Sequence, residues 1–219
     1  MVESHRTEPK PLLGILGGTF DPIHLGHLRL AEEAREALGL ERVLFIPAAA
    51  PPHRPQPALP ALVRLELVQA AIGGNPYFVA DQRELDRAGT SYTIDTVQSI
   101  HASFPAHHLV LILGMDAFNG LTQWHRWDEL LDWVHLAVAT RPGATVAGAA
   151  AQLLSDRQIN ITQMQQQSAG GIVSLEMTRL DISATAVRAK LHAGHSVRYL
   201  VPENLLNPLV AHYSDPIRR

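Results

Sequence analysis

The sequence predicts an open, doubly wound α/β sheet. Three observations carry that reading: short apolar runs alternate with amphipathic stretches, the most apolar run is continuous, and the first run breaks into a glycine pair where a helical pattern begins. A strand of a parallel sheet is covered on both faces, so it reads as an unbroken apolar run, as LVLIL at 109–113 does. Strand, helix and strand within about 35 residues is the βαβ unit, and its repetition winds the chain onto both faces of one sheet.

The elements follow in order. Residues 1–10 are polar and mixed in charge, a flexible tail ahead of one domain at 11–219. LLGIL (12–16) is the first strand, stopping at Gly17-Gly18. From 23 to 40, Leu25, Leu28, Ala31, Ala34 and Leu38 recur at helical spacing, with Gly39 as the stop. RVLFIP (42–47) is the second strand. A helix at 60–72 leads to a strand at 77–80, and a helix at 92–103 leads to the strand at 108–114. Helical turns around 116–131 precede a strand at 135–140. Residues 141–170, rich in Ala, Gln and Gly, read as a surface excursion with one helix near 149–157. GIVSLEM (171–177) is a late strand, and helices at 183–193 and 202–213 form a small C-terminal helical extension.

Composition excludes several functions. The 219 residues are 46% hydrophobic and 18% charged, which suits a globular chain. The formal net charge of −3 offers no basic field for long nucleic acid, so any phosphate must be held by local groups. The absence of cysteine excludes disulfides, thiolate metal sites and cysteine nucleophiles, and fits a reducing cytoplasm. No stretch is long and apolar enough for a membrane span or leader. Self-association into a homo-oligomer stays open.

The chemistry concentrates in GGTFDPIHLGH (17–27). Open α/β sheets bind ligands beyond the carboxyl ends of their strands, where helix N-termini present free N–H groups. Gly17 and Gly18 allow a phosphate to approach the backbone, with Thr19 and Phe20 continuing the loop. His24 and His27, three apart at the helix start, share one face and can donate to phosphate oxygens. Gly26 removes a side chain between them. No GxxxxGK[ST], GxGxxG or HEXXH occurs, and no His/Asp cluster has zinc spacing, so no protein-held metal is expected. Mg²⁺ carried by substrate phosphates is the expected ion. In DISATAVRAK (181–190), Ser183 is an N-cap, with Thr185 and Arg188 in the first turns after it: a second helix start suited to phosphate. Transfer of a nucleotidyl group needs charge stabilised at the α-phosphate and on the departing pyrophosphate, and two such clamps would supply it.

GGTFDPIHLGH together with ISATAVR resembles the bacterial nicotinate mononucleotide adenylyltransferases of the HxGH nucleotidyltransferase superfamily. PPHR (51–54), RELDRAGTSYTIDTV (83–97), LGMDAFNGLTQWHRWDELL (113–131) and VRYLVPENL (197–205) resemble that family's segments in the same order. The resemblance implies a Rossmann-like nucleotidyltransferase fold and the reaction of ATP with nicotinate mononucleotide to give nicotinate adenine dinucleotide and pyrophosphate. It implies that His24, His27 and Arg188 are catalytic, contacting ATP phosphates, with Ser183, Thr185 and Arg188 on the β- and γ-phosphates. Gly17, Gly18, Thr19 and Phe20 complete the ATP loop, and Gly114 and Asp116 would meet the ribose. Trp124 would stack on the nicotinate ring, with Tyr92 and Thr93 lining the acceptor pocket and Arg54 contributing charge. Two positions depart from the family pattern: Arg54 stands where lysine is usual, and Ala184 where a second serine is usual. Other HxGH adenylyl- or cytidylyltransferases and a nucleotide-binding regulator without chemistry are the alternatives, and SYTIDT, Trp124 and the intact His24, His27 and Arg188 weigh against them.

Overall fold

In the computed structural model, residues 10–50, 56–87, 89–140, 146, 148–178 and 180–213 are described. The expected tail, apart from Lys10, and Arg54 lie outside them. Six strands, β1 (Leu12–Gly18), β2 (Leu40–Pro47), β3 (Phe78–Ala80), β4 (His108–Gly114), β5 (Val134–Thr140) and β6 (Ile172–Glu176), form one sheet in the order β3-β2-β1-β4-β5-β6. Every neighbouring pair is parallel. This is the doubly wound order, in which the chain reverses direction across the sheet between β1 and β4.

That reversal is visible in the pairing. β1 stays paired with β2 to its last residue, and β4 with β5 to its last. Between β1 and β4 the register runs only from Leu12↔His108 to Ile15↔Leu111. Beyond those positions the two strands part, and their carboxyl ends, Gly17-Gly18 and Gly114, stand on either side of a cleft.

Alternation along each strand divides the core by face. Leu12 and Leu16 of β1, with Val110 and Ile112 of β4, join the buried cluster beneath α1 (Leu25–Leu38), α2 (Ala61–Ile72), α7 (Ile161–Gln166), α8 (Ala184–His192) and α9 (Leu206–Tyr213). Leu13 and Ile15, with Leu109, Leu111 and Leu113, join the cluster beneath α4 (Thr93–Ser103), α5 (Met115–Asn119) and α6 (Gly148–Arg157). Gly39 ends α1 with φ 66°, a left-handed conformation that costs glycine little, and its N–H donates to the carbonyl of Arg35.

The expected elements are present, with shifts that have local causes. β1 runs on to Gly18, and α1 starts at Leu25 because His24 is extended and caps it. A one-turn helix, α3 (Arg83–Asp86), is too short for a periodic signal. The turns expected at 116–131 resolve into α5 and two 3-10 turns, Leu121–Gln123 and Trp127–Asp132. The last helix divides into a 3-10 turn, Glu203–Leu205, and α9.

The excursion at 141–170 is corrected in part. Besides α6 it contains α7, opened by a reciprocal cap in which Asn160 Oδ1 accepts from Gln163 N at 2.9 Å and Gln163 Oε1 accepts from Asn160 N at 2.9 Å. Ala150 and Met164 from this stretch are buried in the two cores. Its glutamines face away from those contacts and masked the helix in the sequence.

Candidate active site

The turn that leaves β1 is built by steric necessity. Phe20 adopts φ 48°, and its buried ring lies against Gly18, where a Cβ would sit 3.1 Å from ring atoms. The left-handed conformation costs a non-glycine residue roughly 1–2 kcal/mol, so it persists only where surroundings hold it. Here the ring packs edge-on to His27 at 5.1 Å and against Phe45 at 6.0 Å. A Cβ on Gly17, or on Gly114 across the cleft, would meet nothing within 4 Å, so both strand ends leave room for a ligand.

His24 and His27 meet as their spacing predicts. Their rings stack at 3.7 Å, 20° from parallel, and the His24 backbone N–H donates to His27 Nδ1 at 3.3 Å. With Nδ1 accepting, the His27 ring proton sits on Nε2, which is then a donor. Gly26 has a definite purpose: a Cβ there would lie 3.1 Å from His24 Cε1 and Nδ1. Burial lowers the His24 pKa from 6.5 to about 4, so this imidazole is neutral at pH 7. A neutral His24 ring can donate or accept a hydrogen bond but brings no positive charge.

Arg188 supplies it. Its Nη1 donates to the backbone carbonyl of Asp21 at 2.6 Å and stands 3.8 Å from Asp21 Oδ2, while Nη2 donates to Thr185 Oγ1 at 3.4 Å. The start of α8 is therefore tied to the loop three residues before His24. The Ile182 carbonyl lies 3.7 Å from the Cβ position of Gly26, which brings the starts of α1 and α8 side by side. Ser183 caps α8 as expected, its Oγ accepting from Ala186 N at 3.1 Å. The structure thus gathers Gly17, Gly18, Thr19, Phe20, His24, His27, Ser183, Thr185 and Arg188 around one end of β1. Gly114 caps α5 at the end of β4, with Asp116 exposed in that helix's first turn.

The predicted acceptor residues form a second group, on the α4–α5 face. Tyr92 precedes α4 in an extended conformation, Thr93 begins that helix, and both are half-buried. Tyr92 and Trp124 pack against the same apolar cluster. The Tyr92 ring lies 4.2 Å from that of His125. Arg126, with φ 51°, pairs with Asp95 of α4 at 3.6 Å and with Glu129 at 2.6 Å, pinning the 124–126 segment.

Several residues of the site escaped the sequence reading. The Asp21 carboxylate is buried and accepts from Ala58 N at 2.7 Å, Leu59 N at 3.3 Å and the Tyr213 hydroxyl at 2.6 Å. Arg64 is buried on α2 and donates to the carbonyls of Thr19, in the turn after β1, and Ala48, just after β2. One signal was available for it: Arg64 stands three and four residues before Leu67 and Val68, on the apolar stripe of its helix.

The comparisons agree with this geometry. The cytidylyltransferase-like family model matches residues 15–190. A protein of Halorhodospira halophila named "Probable nicotinate-nucleotide adenylyltransferase" is 45% identical over 201 residues, 90% of this chain and 91% of that protein. One of Aeromonas hydrophila with the same name is 45% identical over 207 residues, 93% of this chain and 94% of that protein. Among solved structures, the Plasmodium falciparum nicotinic acid mononucleotide adenylyltransferase complexed with NaAD superimposes with a TM-score of 0.68. At 12% identity, covering 92% of this chain and 94% of that one, it speaks for the shared fold. From sheet order to histidine pair, the chain belongs to the cytidylyltransferase-like family, in its nicotinate-nucleotide adenylyltransferase branch.

Proposed function

We propose that this protein transfers the AMP portion of ATP to nicotinate mononucleotide, forming nicotinate adenine dinucleotide and pyrophosphate, a step of NAD biosynthesis. The observation that carries the reading is the pairing of two helix starts at one strand end: stacked His24 and His27 on α1, and Arg188 of α8 bonded to the loop before them. The acceptor's phosphate is already anionic. It attacks the α-phosphorus in line, a new P–O bond forms, and the bond to the β-phosphate oxygen breaks with its electrons leaving on pyrophosphate. No enzyme nucleophile is needed, and catalysis is positioning plus charge stabilisation.

His27 and His24 donate to phosphate oxygens, Arg188 carries positive charge to the departing pyrophosphate, and Ser183 and Thr185 line the same helix start. Gly17, Gly18, Thr19 and Phe20 shape the loop around the triphosphate, and Gly114 and Asp116 meet the ribose across the cleft. Tyr92, Thr93 and Trp124 receive the nicotinate ring, and Arg54, outside the described residues, contributes charge to the acceptor. An Mg²⁺ ion brought in on the triphosphate would neutralise further charge. Among the described residues, no three His, Asp or Glu side chains cluster to hold a metal. Residues 11–219 act as one catalytic unit on two small nucleotides. Among the described residues no helix is long and apolar enough to cross a membrane. The lack of cysteine suits the reducing cytoplasm in which we place the reaction.

The test is pyrophosphate release with ATP and, in turn, nicotinate mononucleotide, nicotinamide mononucleotide and phosphopantetheine. Turnover is expected to be greatest with the nicotinate. Absence of release with it, or faster release with another acceptor, would overturn the reading.

A further inference from the structure

Arg64 is 1% exposed, yet every arm of its guanidinium is engaged. Nη1 donates to the Thr19 carbonyl at 2.5 Å, Nη2 to the Ala48 carbonyl at 2.7 Å, and Nε to the Leu59 carbonyl at 3.1 Å. These acceptors belong to three separate segments: the turn after β1, the end of β2, and the loop entering α2. Burial works against the charge, while the nearby Asp21 carboxylate favours it. Asp21 grips the same entering loop by its amides, Ala58 N and Leu59 N. A buried cation spread over three carbonyls is costly to keep unless the arrangement it fixes is needed.

The bonds continue from the end of β2 in both directions. Ala48 N donates to the Gly18 carbonyl at 2.9 Å, so this segment is fastened to the phosphate loop. Ala49 N and Ala50 N donate to Ser91 Oγ at 3.1 and 3.2 Å, and Ser91 N returns a bond to the Ala50 carbonyl at 3.1 Å. Ser91 immediately precedes Tyr92 and Thr93. Arg64 is thus the hub from which a line of hydrogen bonds runs from the turn bearing the histidines to the segment bearing the acceptor residues.

We infer that Arg64 is a positioning residue for the transfer, holding the ATP loop and the acceptor segment in mutual register without touching either substrate. The inference rests on the adenylyl-transfer reading above. In-line attack depends steeply on placement, and an offset of about 1 Å costs on the order of 10²-fold in rate. A group that sets register should therefore act on kcat, leaving each substrate's own pocket intact. Lysine keeps the charge, but a single ammonium on a flexible stem cannot reproduce the planar fork that meets three divergent carbonyls.

The experiment compares wild type with Arg64→Lys and Arg64→Met in the pyrophosphate assay, well below the melting temperature of each variant. The expected result is a fall of ~10–100-fold in kcat in both variants with KM for ATP and for nicotinate mononucleotide within about threefold of wild type. Guanidinium ion at low millimolar concentration should restore part of the rate to Arg64→Met and none to wild type. Unchanged kcat in a folded variant, a loss confined to KM, or failure of both variants to fold would overturn the assignment. Wild-type turnover in the same plate separates the two readings: if wild type releases no pyrophosphate, the adenylyl-transfer reading fails, whereas a normal Arg64 variant sinks only the positioning assignment.

Discussion

The proposed phosphate side and the proposed acceptor side of the site are built in different ways. On the phosphate side, one contiguous stretch of chain supplies the strand end, the turn and both histidines, and two of its glycines answer to a neighbour. Gly18 yields to the Phe20 ring and Gly26 to the His24 ring. On the acceptor side, Tyr92 comes from one segment and the adjacent Trp124 and His125 from another, joined by an ion pair between Arg126 and Asp95. The first construction is rigid and short-range, suited to charge stabilisation at fixed points. The second is assembled from a distance, suited to recognising a ring.

If that contrast is right, mutations on the two sides should divide between kcat and KM. The largest effect is expected from His24→Ala or His27→Ala, which should lower kcat by ~10²–10³ with the fold intact by circular dichroism. Near-normal turnover in either variant would remove that ring from the chemistry and weaken the contrast at its root.

Next in size is a pH effect peculiar to the phosphate side. The folded pKa of His24 lies near 4 and the ordinary value is 6.5, so between them the unfolded chain binds a proton that the native state refuses. Stability is therefore unaffected by this group above pH 6.5 and falls as pH drops from 6.5 towards 4, by on the order of 3 kcal/mol in full. Buried His135 shifts in the same direction through desolvation and stays in both proteins compared. Melting temperature followed against pH should fall less steeply over this window in His24→Asn than in wild type. Parallel curves would mean that His24 titrates normally.

A smaller effect is expected across the cleft. Trp124→Ala should raise KM for the mononucleotide roughly tenfold, the worth of one lost stacking contact, with kcat little changed. A fall in kcat at constant KM would place Trp124 with the catalytic side instead. The finest discrimination comes from Gly26→Ala. Alanine favours the helix by up to about 1 kcal/mol, yet its Cβ would press on the His24 ring. The melting temperature should hold or rise while kcat drops several-fold, and a variant as active as wild type would show that the ring tolerates displacement.

The same contrast explains what the sequence made legible. The strands were readable because each is a continuous apolar run, and the phosphate loop because its residues are neighbours in the chain. His24 and His27 stack, and Arg188 reaches the backbone of Asp21 in the loop before them. Asp21, Arg64 and Tyr213 escaped because their meaning is entirely tertiary: the Tyr213 hydroxyl reaches Asp21 across 192 positions. The neutral state of His24 was equally hidden, since desolvation depends on what surrounds the ring and not on its spacing. Helix α7 was overlooked among its glutamines, although the Asn160–Gln163 box marked its start.

The early parting of β1 from β4 leaves the middle seam of the sheet open at its carboxyl end. The strand ladder across that seam runs only between Leu12–Ile15 and His108–Leu111, whereas both flanking ladders reach their strand tips. A dinucleotide lying over that seam would act as a rivet, so occupancy should tighten the two halves against heat through mass action. Loss of product would loosen them again, and turnover and the cohesion of the molecule would rise and fall along one line.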